Sequence, residues 1–413
     1  MARRKGIPSI RQRKDRNGKK LDCWEALITL GRDPGTGKVK RLAVYGKTQQ
    51  ECRDKLIETL QSIKNQTFVE PHKITVESWM DTWLKEYKKD NIRPTTYSSY
   101  EYIIRVHIKP NLGKAYLRDL RPEQIQKFYN ERKASGLSSR TVRYIHTILH
   151  EALEQAVKNN LIVRNVTDAT TLPKQEKKEM RVLTVEEQNR FMEVLSADKM
   201  GIIFKLDLAT GMRKGELIAL TWNNVNLRDG VIRVTRSLSR TRVNFDKESK
   251  ENKTAVIIQK PKTKKGERSI PLFDSIITDL KKHKEAEKEK LKNLGWDDIK
   301  IKQHFKDGLV FTNELGGHIE PRNLSRKFYS LVKAAGISKA NLHCLRHSFA
   351  TRLLEMGVSP KVVQEILGHS TITLTLDTYS HVMPELKKAA VDKLSGLFET
   401  NAIKTEQNIN SAT

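Results

Sequence analysis

Along residues 1–66 the apolar positions come in short runs bounded by turn signals. Residues 9–13, 21–30 and 39–45 read as strands, the second carrying Trp24, Leu27 and Ile28. Arg16-Asn17-Gly18-Lys19 is a hairpin-turn signal, and Asp33-Pro34-Gly35-Thr36-Gly37 supplies a second turn. Thr48 and Glu51 match a capping box that opens a helix to about Ser62, with Cys52, Leu56 and Leu60 on one face. The pattern predicts a three-stranded sheet backed by one helix.

From residue 72 to 166 the period becomes helical. Trp79, Trp83 and Tyr87 fall four apart, followed by Tyr97, Tyr100 and Ile104, then by Ile125, Phe128 and Tyr129, then by Val142, Ile145, Leu149 and Leu153. Pro94, Pro110, Gly113, Pro122 and Gly136 punctuate the run into four helices, whose aromatics are expected in a core. A charged, aromatic-free stretch at 172–179 marks a linker, drawn at 167–182. Residues 183–400 mix helices with strands at 231–235, 254–259 and 268–272. The Lys/Glu-rich run 281–304 reads as a solvated helix. Residues 385–398 carry Leu386, Ala389, Ala390, Leu394 and Leu397 at helical spacing, and 401–413 form a polar tail. The expected fold class is multidomain α+β: a small sheet with a helix, a helical domain, and a mainly helical domain with a small antiparallel sheet.

Charge sharpens this picture. The chain has 413 residues, with 77 Lys and Arg against 49 Asp and Glu, a net of +28. Residues 1–66 alone hold 17 against 7, a net of +10, more than a third of the total. Such an excess calls for a polyanionic partner, most often nucleic acid. No run approaches eighteen consecutive apolar residues, so no spanning helix is expected. The basic start lacks the apolar segment of a secretory leader. Three scattered cysteines, Cys23, Cys52 and Cys344, argue against a disulfide framework and for a reducing cytoplasm.

Four local features could carry chemistry. Arg213 lies between Gly211 and Gly215 where a helix begins, a place to aim a guanidinium and free N–H groups at an anion. His343 and Arg346 share a helix face. His343 and His347 have a zinc-helix spacing, but Cys344 stands where a metalloprotease needs its Glu, so zinc hydrolysis is rejected. Gly368-His369 precedes Tyr379 by about ten residues. Lys262, Lys264 and Lys265 decorate a turn between two strands.

Taken together and in this order, Arg213, Lys262, His343-x-x-Arg346, Gly368-His369 and Tyr379 resemble the tyrosine recombinases, the integrases of temperate phages and integrative conjugative elements. The resemblance spans the chain. It implies an arm-site DNA-binding domain at 1–66, a helical core-site-binding domain at 72–166 and a catalytic domain at 183–400. It implies site-specific cutting and rejoining of duplex DNA for a mobile element through a 3′-phosphotyrosyl intermediate. Tyr379 would be the nucleophile, Arg213 and Arg346 the clamp on the phosphate, His343 the general base and His369 a phosphate donor. Lys262 matches the general acid, with Lys264 and Lys265 beside it, and Glu216 matches an acidic position that organises the site. Two planar guanidiniums suit a phosphate gaining negative charge, and phenol, with a pKa of about 10, needs a base. The phosphotyrosine conserves the ester energy, so no cofactor and no metal are expected. The partners implied are double-stranded DNA at core and arm sites, a homotetramer on DNA, and accessory bending or directionality proteins. Residues 385–398 would pack either on their own domain or on a neighbouring protomer. The rival readings are a type IB topoisomerase and a non-catalytic DNA-binding regulator.

Overall fold

A computed structural model describes residues 8–32, 37–65, 73–175, 180–245, 253–261, 264–378, 391–392 and 394 of the chain. The chain divides into two compact units, Met1–Glu176 and Lys177–Thr413.

In the first unit, β1 (Ile10–Lys14), β2 (Lys20–Arg32) and β3 (Val39–Gly46) form an antiparallel sheet in that order. The expected turn at 16–19 is closed by Asp15, whose carboxylate accepts the Asn17 and Lys19 N–H groups at 2.9 Å each. One face, with Ala26, Ile28 and Val44, packs on Cys52 and Leu56 of α1 (Gln49–Lys64). Thr48 caps α1 by accepting the Glu51 N–H at 3.1 Å. The reciprocal half of the box is displaced, because Glu51 takes the N–H of Lys47 at 2.8 Å. The other face is left open, and Arg11, Glu25 and Tyr45 lie in register across it. There Arg11 pairs with Glu25 at 2.8 Å and Arg13 covers the Tyr45 ring at 5.4 Å.

The helices of this unit follow. α2 (Val76–Thr82) runs on through a π-helical stretch, Trp83–Lys88. α3 (Pro94–Ile103) passes through another, Ile104–Ile108, into α4 (Lys109–Leu112). α5 (Pro122–Ala134) and α6 (Ser139–Lys158) complete the set. Their apolar faces converge on Trp83, Tyr100, Phe128, Tyr129 and Leu149. The aromatics are core: Trp83 stacks on Tyr100 at 6.0 Å, and Trp79 Nε1 donates to the Ala152 carbonyl at 2.8 Å. The stretch expected as a linker is tied to this unit at its start. Thr167 is buried, Thr171 N–H donates to Gln126, and Arg143 donates to the Pro173 carbonyl.

The second unit runs α7 (Val185–Ser196), α8 (Gly201–Thr210), α9 (Lys214–Leu217), β4 (Val225–Asn226), β5 (Val231–Val234), β6 (Ser237–Arg242), β7 (Thr254–Gln259), β8 (Arg268–Pro271), α10 (Asp274–Asn293), α11 (Asp298–Asp307), α12 (Pro321–Ala334), α13 (His343–Glu355), α14 (Pro360–Leu367) and α15 (Ile372–Thr378). Its sheet has the order β4-β5-β8, and β6 and β7 form a separate hairpin. Phe191 and Phe204 each pack on Phe328 in the core, with ring centroids 5.9 Å from it.

One expectation needs correction. Residues 281–304 are not a single solvated helix but parts of α10 and α11, broken around Gly295. Glu287, Leu291, Ile301 and His304 are buried, so the Lys/Glu composition hid a packed seam. Residues 385–390, 393 and 395–398 of the expected C-terminal helix lie outside the described residues. Among the described residues no helix is long and apolar enough to cross a membrane.

Candidate active site

The site is built on two glycine-terminated helices. α8 is apolar over Ile203, Phe204 and Leu206, and it stops at Gly211, which adopts φ +60° and bonds its N–H to the Asp207 carbonyl. α14 stops at Gly368 with φ +66°. Left-handed φ favours glycine, and the surroundings demand it too. A Cβ on Gly211 would meet Phe349 at 2.6 Å, and one on Gly368 would meet the Lys265 carbonyl at 2.9 Å.

α13 packs against α8 and α14 and brings Arg346 between these two ends. Arg346 is 2% exposed. Its Nη1 donates to the Gly211 carbonyl at 2.6 Å and its Nη2 to the Leu367 carbonyl at 2.7 Å. The carbonyls that two helices leave unpaired at their C-termini thereby orient one guanidinium.

Arg213 follows Gly211 by two residues and caps α9. Its Nη1 donates to Glu216 Oε1 at 2.8 Å and its Nη2 to the Gly368 carbonyl at 3.3 Å. The expectation of free N–H groups at this helix start fails for Arg213 itself, whose N–H is taken by Glu216 Oε2 at 2.9 Å. The guanidinium rather than the helix end is therefore the group offered, with 41% of the side chain exposed.

Glu216 is almost fully buried and also accepts Arg268 Nη2 at 2.9 Å. Burial pushes its carboxyl up, but the Arg268 hydrogen bond and the charges of Arg268 and Arg213 prevail and hold it below the usual range. Arg268 is a residue that sequence reasoning missed. It also donates to the Ile366 and Gly266 carbonyls, joining the turn before β8, the end of α14 and Glu216. A charged residue opening a short strand looks like surface, and only the packing reveals it.

His369 follows Gly368 and is 7% exposed. Gln364 brackets it, accepting its N–H and donating to its carbonyl at 3.1 Å each. Its Nδ1 lies 2.8 Å from the Thr375 hydroxyl. Burial, then the charges of Arg346 and Arg213, lower its pKa to about 3. His343 opens α13 and is exposed to solvent, its ring edge-to-face with His347 at 4.7 Å. Partial burial, then Arg346 and Arg213, lower its pKa. His347 is buried, and desolvation, then His343 and Arg346, lower its pKa to about 4. At neutral pH His347 and His369 are uncharged imidazoles.

The structure thus brings Arg213, Glu216, Arg346 and His369 together, with His343 in the field of both guanidiniums. Lys262 and Tyr379 lie outside the described residues, as does the side chain of Lys264. Lys265 is placed beside the site's edge, its Nζ donating to the Ser370 carbonyl at 3.0 Å. α15 is described as far as Thr378, the residue before Tyr379 in sequence. Among the described residues no group of three or more His, Cys, Asp and Glu side chains could hold a metal ion.

A profile described as the phage integrase family matches residues 181–385, and one described as the phage integrase N-terminal SAM-like domain matches residues 75–132. A "Tyrosine recombinase XerC-like" protein of Caldanaerobacter subterraneus subsp. tengcongensis is 32% identical over 393 residues, covering 93% of this chain and 98% of the relative. Among solved structures, the Tn1549 transposon integrase in complex with a circular intermediate DNA superposes with a TM-score of 0.63 at 22% identity, over 78% of this chain and 99% of that one. A lambda integrase tetramer bound to a Holliday junction superposes with a TM-score of 0.54 at 22% identity, over 91% of this chain and 96% of that one. These two show the shared fold. The profile matches and the near-full-length relative show that this chain belongs to the phage integrase family of tyrosine recombinases.

Proposed function

We propose that this enzyme, a site-specific recombinase of a mobile element, cuts and rejoins DNA with Tyr379 as nucleophile and a phosphate site centred on Arg213 and Arg346. The observation that supports the reading is the anchoring of both guanidiniums at the end of α14: Arg346 donates to the Gly211 and Leu367 carbonyls at the ends of α8 and α14, and Arg213 to the Gly368 carbonyl. A planar fork held in this way meets the non-bridging oxygens of a phosphodiester without reorganising as charge develops.

The chemistry balances without a nucleotide. The Tyr379 phenol attacks phosphorus, its proton passes to neutral His343, the bond to the 5′-oxygen breaks, and Lys262 protonates that oxygen. His369 donates to a non-bridging oxygen. Rejoining is the same sequence reversed, with the 5′-hydroxyl displacing tyrosine. Glu216 keeps Arg213 in place rather than touching DNA.

The remaining assignments belong to the same proposal. The open face of the N-terminal sheet, with Arg11, Arg13, Arg41 and Tyr45, binds arm sites. The helical domain and the catalytic domain bind the core site. Four protomers assemble on DNA, coupled through residues 385–398, with accessory bending or directionality proteins, in the cytoplasm of a bacterial host.

Arginine-to-lysine replacement tests the site, because it keeps the charge and loses the fork. Arg213→Lys and Arg346→Lys should each bind a core-site duplex normally in a mobility-shift assay. Each should form covalent adduct on a nicked suicide substrate about 10²–10³ times more slowly. Wild-type rates in either variant contradict the phosphate clamp. Relaxation of arbitrary plasmids without a site requirement would favour a topoisomerase instead.

A further inference from the structure

A neutral imidazole carries one N–H, so His369 can donate to an anionic phosphate only from the nitrogen that holds the proton. Both partners of its observed hydrogen bond are buried. Thr375 is 0% exposed and His369 is 7% exposed, so bulk water does not compete for Nδ1. The 2.8 Å contact between Nδ1 and Thr375 Oγ1 leaves Nε2 as the nitrogen available to a substrate. A lone pair on Nε2 would repel a phosphate oxygen, and only the Nε2–H form serves the reaction.

We propose that Thr375 is a positioning residue for strand cleavage: its hydroxyl donates to His369 Nδ1 and thereby keeps the proton on Nε2. The inference rests on His369 acting at the phosphate. Thr375 also lies on α15, four residues ahead of Tyr379 in sequence. One hydrogen bond therefore ties the phosphate-binding histidine to the helix that leads to the nucleophile. His369 takes its working tautomer only while α15 is docked against it.

Two substitutions separate the hydroxyl from its packing. Thr375→Val keeps the β-branched volume and loses the donor, whereas Thr375→Ser keeps the donor. On a nicked suicide duplex, Thr375→Val should form adduct about tenfold to hundredfold more slowly at unchanged DNA affinity, and Thr375→Ser should restore most of the rate. Nitrogen NMR of histidine-labelled Tyr379→Phe protein, bound to the uncut core duplex, reads the tautomer directly. His369 should be the Nε2–H form with Thr375 present and should lose that preference with valine. A proton on Nδ1, wild-type cleavage by Thr375→Val, or equal losses in the valine and serine variants overturns the proposal. If the valine variant does not fold, the spectrum of the threonine protein and the serine rate still decide. Full-rate cleavage by His369→Gln overturns the site reading itself, and the proposal with it, and is told apart because the tautomer is read without turnover.

Discussion

Glu216 touches two arginines of opposite circumstance. Arg213 is half in solvent, whereas the Glu216–Arg268 pair is buried on both sides, with side chains 3% and 5% exposed. Removing Arg268 leaves the buried Glu216 carboxylate to the half-exposed Arg213. Arg268→Ala should therefore cost about 3–5 kcal/mol in urea unfolding. Arg240→Ala, which breaks the partly exposed pair with Glu320, should cost about 0–1 kcal/mol. Equal losses would contradict this partition. The histidines set the acid response. The unfolded chain protonates histidine near pH 6.5, but folded His347 and His369 stay neutral to about 4 and 3. Their contribution to stability is full above pH 6.5 and is lost as the pH falls towards those values. For catalysis, under the proposed role of His343 as base, the sign is set by its need to be neutral. Adduct formation should rise with pH through its depressed pKa and be level by neutrality, and His343→Gln should abolish that limb. A rising limb that survives in the variant assigns the titration elsewhere. His343, Arg346 and His369 were legible as residue types at a spacing. Arg268 and Thr375 were not, because a lone Arg at a strand start and a Thr in a helix carry no local mark of their partners.

At the scale of elements, short strand runs and turn chemistry made β1, β2 and β3 readable, period plus capping made α1 readable, and period after Pro122 made α5 readable. β6 escaped because its six residues, SLSRTR, bury only Leu238 and Thr241. The break between α10 and α11 escaped because the lysines and glutamates run through it. What no pattern could show is that the ends of α8 and α14 meet at one guanidinium. Gly368→Ala tests that junction, since its Cβ would press on the Lys265 carbonyl in a left-handed backbone. The expected cost is about 1–3 kcal/mol of stability. Adduct formation should fall as well, because His369 and the carbonyl that Arg213 uses both shift. A variant with wild-type stability and rate would show that the α14 end does not constrain the site.

At the scale of the molecule, charge divides the labour between grip and chemistry. In the proposed function the +10 carried by residues 1–66 serves grip, and its loss should flatten the salt response of DNA binding, at about 0.9 in log K per log salt for each phosphate contact removed. A chain lacking residues 1–66 should lose binding to arm-site DNA yet still cleave a core-site suicide substrate. Undiminished arm-site binding would remove the N-terminal sheet from that role. The central claim is that one tyrosine bonds to DNA within the cradle of Arg213 and Arg346. Its most direct test is to trap the covalent complex on a nicked core-site duplex, digest both components, and locate the nucleotide-bearing peptide by mass spectrometry. The nucleotide should be found on Tyr379, joined through a 3′-phosphate, with no adduct from Tyr379→Phe. A nucleotide on any other residue, or an adduct from the phenylalanine variant, would contradict the account.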